Sequence, residues 1–213
     1  LFRPAADTPA MLLEAALSAL ANLVILAGLP LSGYWIYQRR KHGRSPAEVL
    51  ERAGLRLGDV RYLWLCVAAA ALSVALLALF PPPVEPLTRP GSAQREFVGL
   101  GPSGPAVTAA LLYGVLETGF SEELLFRGLI AGSLARHMPE WRANLAQAGI
   151  FLIPHLLLLA VMPEMWPVLI LVVAGALFMG WVRIRSGSIL GPWILHASGN
   201  VTMALSVAVR TAG

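Results

Sequence analysis

Charged side chains are scarce in this 213-residue chain. They make up 13% of it, about half the share of an ordinary soluble domain. That excludes a conventional water-facing surface. Cysteine occurs once, at Cys66, so no intrachain disulfide framework can form. Aspartate occurs twice, at Asp7 and Asp59. Lys and Arg outnumber Asp and Glu by 16 to 12. The basic residues nevertheless sit in short loops and form no stripe that would follow a nucleic-acid backbone, so no nucleic-acid partner is expected.

Apolar residues fill the space that charge leaves. They form 57% of the chain, and the mean hydropathy is +0.69. Residues 15–38, 62–84, 97–116, 143–163, 165–182 and 186–209 contain no Asp, Glu, Lys or Arg. Each run is about as long as a helix must be to cross a hydrocarbon core. The pattern predicts an all-α fold, a polytopic transmembrane helical bundle of about six spans in a lipid bilayer. A break within 105–135 would make seven.

The basic residues orient the bundle. If 105–135 crosses once, Arg39, Arg40, Lys41, Arg44, Arg52, Arg56, Arg61, Arg136, Arg142, Arg183 and Arg185 share one side. Arg3, Arg89, Arg95 and Arg210 take the other, and Arg127 lies in the membrane. Eleven against four is a positive-inside bias, which predicts a multi-pass protein of the cell (inner) membrane with both termini non-cytoplasmic. Making 105–135 a hairpin would spoil that asymmetry. Ser45-Pro46-Ala47-Glu48 reads as a capping box opening a short interfacial helix. Pro81-Pro82-Pro83 ends the second span. Residues 1–104 then hold two N-terminal spans, the interfacial helix and an outer loop. Residues 105–213 form the helical core that carries the chemistry, all within one integral membrane domain.

Charge inside a bilayer is costly, about 2.5–3.5 kcal/mol per group on insertion scales, so it needs a partner or a purpose. One segment concentrates it: Glu117, Glu122, Glu123 and Arg127. Glu123 and Arg127 are four apart and can pair on one helix face. Glu122 is turned about 100° from Glu123, leaving it without a local cation. A desolvated carboxylate in that state can take and release a proton near neutral pH. His155 lies one turn beyond Phe151, and His196 and Asn200 share a face at the same spacing. At about 1.5 Å per residue, Glu122, His155 and His196 lie roughly 21, 16 and 12 Å from the cytoplasmic ends of their helices. Three spans therefore bring acid–base groups to similar depth.

Glu122-Glu123-x-x-x-Arg127, Phe151-x-x-x-His155 and His196-x-x-x-Asn200 together resemble the CAAX protease and bacteriocin-processing (CPBP) family of intramembrane endopeptidases. The motifs follow the family's order on separate helices across residues 122–200. The resemblance implies hydrolysis of a peptide bond in a membrane-anchored, lipidated or small peptide precursor. It assigns water activation to Glu122 and His155, and oxyanion stabilisation to His196 and Asn200. Glu123 and Arg127 would be supporting residues. Gly128 and Gly132 have a small-x-x-x-small spacing that admits a close neighbour.

Other chemistries remain beside this reading. Glu122 or Glu123 with His155 and His196 could supply zinc ligands, but the His-Glu-x-x-His helix of zinc proteases is absent. No cofactor and no metal is the favoured expectation, with zinc the alternative. An aspartyl protease needs two membrane aspartates, and both aspartates lie outside the runs. A serine mechanism would need a Ser–His pair, and Ser198 shares its helix with His196 on nearly the opposite side. A non-catalytic scaffold or immunity-type protein of the same fold would be expected to have lost one of the four polar groups, and all four are present. A proton-coupled carrier fits less well, since no inverted repeat is visible.

Overall fold

The computed structural model describes residues 8–161 and 163–212. Among them every regular element is helical. Helix α1 runs Thr8–His42, α2 Pro46–Arg52 and α3 Val60–Leu79. The connection to the core holds a short α4, Val84–Leu87, and a 3₁₀ turn, Ala93–Phe97. Then come α5, one continuous rod over 104–134, α6 at Glu140–Val161, α7 at Trp166–Ser186 and α8 at Leu190–Arg210. The segments Thr8–His42, Val60–Leu79 and Pro163–Ser186 are long and apolar enough to cross a membrane.

Local chemistry sets the boundaries. The predicted capping box is present: Ser45 Oγ accepts from the Glu48 amide, and the Glu48 carboxylate accepts from the Ser45 amide at 2.7 Å. The backbone amide and hydroxyl of Ser45 hold the Glu48 carboxyl below its ordinary value. Helix α3 ends at Leu79, ahead of the three prolines, because none of them can donate a backbone N–H. Ser103 caps α5 by accepting from the Ala106 amide.

The rod α5 is the axis of the molecule and packs against α1, α6, α7 and α8. Its buried contacts use small residues. Ala106, Ala109 and Ala110 meet Ala204, Val207 and Ala208 of α8. A Cβ on Gly114 would lie 2.6 Å from Val201 Cγ2, and one on Gly119 would lie 3.3 Å from Ala197 Cβ, so glycine lets α8 lie against α5 backbone to backbone. Large side chains such as Leu17, Leu20, Leu72, Leu157 and Leu171 are more than half exposed, as befits a surface whose solvent is lipid. The close approach at Gly128 and Gly132 comes from the end of α2 and from α7: a Cβ there would meet Ala53 O at 2.6 Å and Arg183 Nη2 at 2.8 Å.

The winding of α5 differs from a plain α-helix. Leu112–Phe120 and Glu123–Ala131 are π-helical, with Ser121 and Glu122 between them. Thr118 Oγ1 donates to Tyr113 O at 3.0 Å and Ser121 Oγ to Leu116 O at 2.9 Å, each five residues back. Hydroxyls that bond backbone carbonyls compete with the i→i−4 ladder, and these sit where the ladder widens.

Candidate active site

The site begins with a buried ion pair on α5. Glu123 and Arg127 are both fully buried, and Arg127 Nη1 lies 2.9 Å from Glu123 Oε1. The predicted pairing is therefore present. The guanidinium also lies over the Phe151 ring, 4.1 Å from its centroid, a cation–π contact that ties α5 to α6. The pair is close but sparsely hydrogen-bonded: the three guanidinium nitrogens of Arg127 and Glu123 Oε2 have no hydrogen-bond partner of good geometry. Its position rests mainly on charge and packing.

His196 of α8 completes the cluster. Its Nδ1 lies 2.8 Å from Glu123 Oε1. A carboxylate can only accept, so Nδ1 carries the proton. The other nitrogen, Nε2, lies 3.9 Å from Glu122 Oε2. The imidazole thus stands between the two carboxylates, with Glu123 orienting it and Glu122 at its working edge. The angular offset of Glu122 from Glu123 allows this, because the two carboxylates meet opposite nitrogens of one ring. Glu122 does lack a cation on its own helix and finds a partner on another. Two carboxylates against one guanidinium leave a net negative charge, which a protonated His196 would cancel. Glu122 and His196 retain 22% and 13% side-chain exposure, so neither is sealed in the core.

His155 on α6 directly follows a proline. Pro154 lies inside the helix and supplies no amide. His155 Nδ1 donates to Phe151 O at 2.8 Å, since a carbonyl only accepts. A neutral His155 therefore keeps its Nε2 lone pair free, the reverse of what His196 offers in protonated form. The Phe151 ring centroid is 4.5 Å from that of His155 and 6.3 Å from that of His196, so one aromatic ring spaces the two imidazoles. Helix α6 is fixed to α7 by Asn144 Nδ2 donating to Leu177 O and Gln147 Nε2 to Ala176 O, at 2.9 and 2.8 Å.

Asn200 lies one turn beyond His196. Its Nδ2 donates to Thr118 Oγ1 at 2.7 Å, and that hydroxyl donates onward to Tyr113 O. The relay fixes which end of the amide is nitrogen and leaves its second N–H to give. Thr118 was not among the residues singled out in the sequence. Its position four before Glu122 was the available signal. Phe151 likewise does more than mark the spacing, since it touches Arg127 and both imidazoles.

Glu117 serves a different purpose. It accepts from Ser18 Oγ at 2.8 Å and Asn22 Nδ2 at 3.2 Å, tying α5 to α1. With Glu14, Glu96 and Tyr113 it lines a cavity of about 100 Å³. A larger apolar groove of about 500 Å³ runs between α3, α5 and α8, lined by Val74, Leu111, Val115, Trp193, Ala197 and Val201. Neither hollow is lined by Glu122, His155 or His196. Trp193 donates from Nε1 to Val115 O at 2.8 Å and packs on Phe120. Among the described residues no group of three or more His, Cys, Asp or Glu is arranged to hold a metal ion.

Residues 102–202 match the family model described as type II CAAX prenyl endopeptidase Rce1-like. No curated protein and no solved structure matches the chain. The matched segment runs from the start of α5 into α8 and contains every residue of the three motifs. Endopeptidases are proteases, and apolar helices around a buried charge cluster suit a protease of the membrane. Over residues 102–202, then, the CPBP resemblance read from the motifs is borne out by the match to the Rce1-like family model.

Proposed function

We propose that the protein is an intramembrane endopeptidase in which Glu122 activates water for attack on a peptide bond. The observation that carries this reading is the His196 imidazole held between two carboxylates, 2.8 Å from Glu123 and 3.9 Å from Glu122. Glu122 takes a proton from water, and the hydroxide attacks the carbonyl carbon. His155, with Nε2 free, accepts a hydrogen bond from that water and orients it. The new oxyanion accepts from His196 Nε2–H, present when the ring is protonated, and from the second N–H of Asn200. Collapse breaks the C–N bond as Glu122 passes its proton to the departing nitrogen. Glu123 and Arg127 touch no substrate and position His196.

The substrate in this reading is a membrane-anchored, lipidated or small peptide precursor. The 500 Å³ apolar groove beside α8 suits the acyl part of such a molecule. The protein crosses the cell (inner) membrane six times, with both termini non-cytoplasmic, the arrangement that best separates the basic loops. Catalysis needs no metal. Chelation should leave cleavage by the purified protein unchanged, and activity lost to a chelator and restored by zinc would replace this mechanism with a zinc-dependent one. In cells carrying Glu122→Gln the uncut precursor should accumulate. Normal processing in that background would remove Glu122 as the base.

A further inference from the structure

A second charge cluster lies away from the acid–base site, where the ends of α2 and α7 meet α5. Arg183 is 6% exposed. Its Nη2 donates to Arg52 O at 2.8 Å, and its Nε has no hydrogen-bond partner. The charged groups acting on it include Arg136 and Arg56, both positive. Arg136, exposed at the end of α5, faces Tyr34, Arg52 and Arg44. It donates to Tyr34 Oη at 2.8 Å and Ser133 Oγ at 3.0 Å. No carboxylate stands against either Arg183 or Arg136 among the described residues. Glu51 is taken by Arg56, and exposed Glu48 reaches only Arg44 and Arg52.

The fold makes room for this arrangement. A Cβ on Gly54, whose φ is +82°, would fall 2.6 Å from Arg183 Nε. One on Gly132 would fall 2.8 Å from Arg183 Nη2. Two glycines from separate segments therefore flank one guanidinium. The negative end of its own helix offsets part of the charge. It does not satisfy Nε or the neighbouring cations. Like charges gathered around a buried donor without an acceptor are what an anion site looks like before the anion arrives.

The geometry points to a site for a phosphate-bearing anion formed by Arg183, Arg136 and Arg52, with Tyr34 at its rim. At the end of the apolar helices that anion is either a phospholipid headgroup or free phosphate. The full-length protein in phosphatidylcholine nanodiscs distinguishes them, with the unfolding temperature followed during titration with short-chain phosphatidylglycerol, short-chain phosphatidylcholine or inorganic phosphate. Phosphatidylglycerol should stabilise saturably where phosphatidylcholine does not, and Arg136→Gln should weaken its apparent affinity roughly tenfold, the loss of one charge-assisted contact. Arg39→Gln, an exposed basic residue in the last turn of α1, should leave affinity unchanged. Equal stabilisation by inorganic phosphate would make free phosphate the ligand of the same site. The inference is overturned if neither anion stabilises the protein, or if Arg39→Gln weakens binding as much as Arg136→Gln. Arg183→Gln should act in the same direction. Should it fail to fold, Arg136, which is exposed, decides the matter alone.

Discussion

The buried pair beneath His196 offers a test that separates stability from chemistry. In Arg127→Met, Glu123 would stay at zero exposure, facing only the Nδ1–H of His196. Removing one partner of a buried pair costs about 3–5 kcal/mol, and losing the contact over Phe151 adds about 0.5–2 kcal/mol. For a chain of this size that lowers the unfolding temperature by roughly 10 °C or more. In Glu123→Leu/Arg127→Met the uncompensated charge is gone. Because four polar atoms of the native pair lack hydrogen-bond partners, the double variant forfeits few bonds and should recover most of the lost stability. It should still not cleave, because nothing then holds His196 Nδ1. Thermal unfolding in detergent, with peptide cleavage measured on the same samples, reads both quantities. An unfolding temperature for Arg127→Met within about 2 °C of wild type would refute the assigned energetics. Full cleavage by the double variant would refute the positioning role.

Thr118→Val removes the acceptor for Asn200 Nδ2 and should lower kcat about tenfold or more with little change in KM, as expected for an interaction made in the transition state; an equal rise in KM would place Asn200 in substrate binding instead. Gly114→Ala forces a methyl group into Val201 and should destabilise by about 1–3 kcal/mol, readable as a lower unfolding temperature, whereas Gly149→Ala, with open space beside it, should not. Glu48 carries a depressed folded-state value because the Ser45 amide and hydroxyl bond its carboxylate. Its contribution is therefore fully present above the ordinary carboxylate range and is lost as pH falls through the folded value. The difference in unfolding temperature between wild type and Glu48→Gln should be visible at neutral pH and vanish in strong acid. A difference that grows on acidification would contradict the sign.

The helical class, the start of α2, the end of α3, the Glu123–Arg127 pair and the meeting of the two later motifs with α5 were legible in the sequence. Spacing and the cost of buried charge determine them locally. What was hidden depends on contacts between segments. Regular 100° steps could not reveal the π-helical winding around Glu122, which arises where Thr118 and Ser121 turn back on their own carbonyls. The role of Glu117 could not be read from its own segment, because its partners, Ser18 and Asn22, lie about a hundred positions earlier. Arg183 counted toward orientation, yet its burial follows from glycines at 54 and 132 that no motif connects to it.

The most direct test of the account is the single-turnover rate of purified Glu122→Gln on a membrane-anchored peptide that the wild type cleaves. Glutamine keeps the size and much of the hydrogen bonding of the partly exposed Glu122 but cannot accept water's proton. The rate should fall by about 10²–10⁴-fold or more with an unchanged unfolding temperature. Cleavage within a few-fold of wild type by a correctly folded Glu122→Gln protein would contradict it.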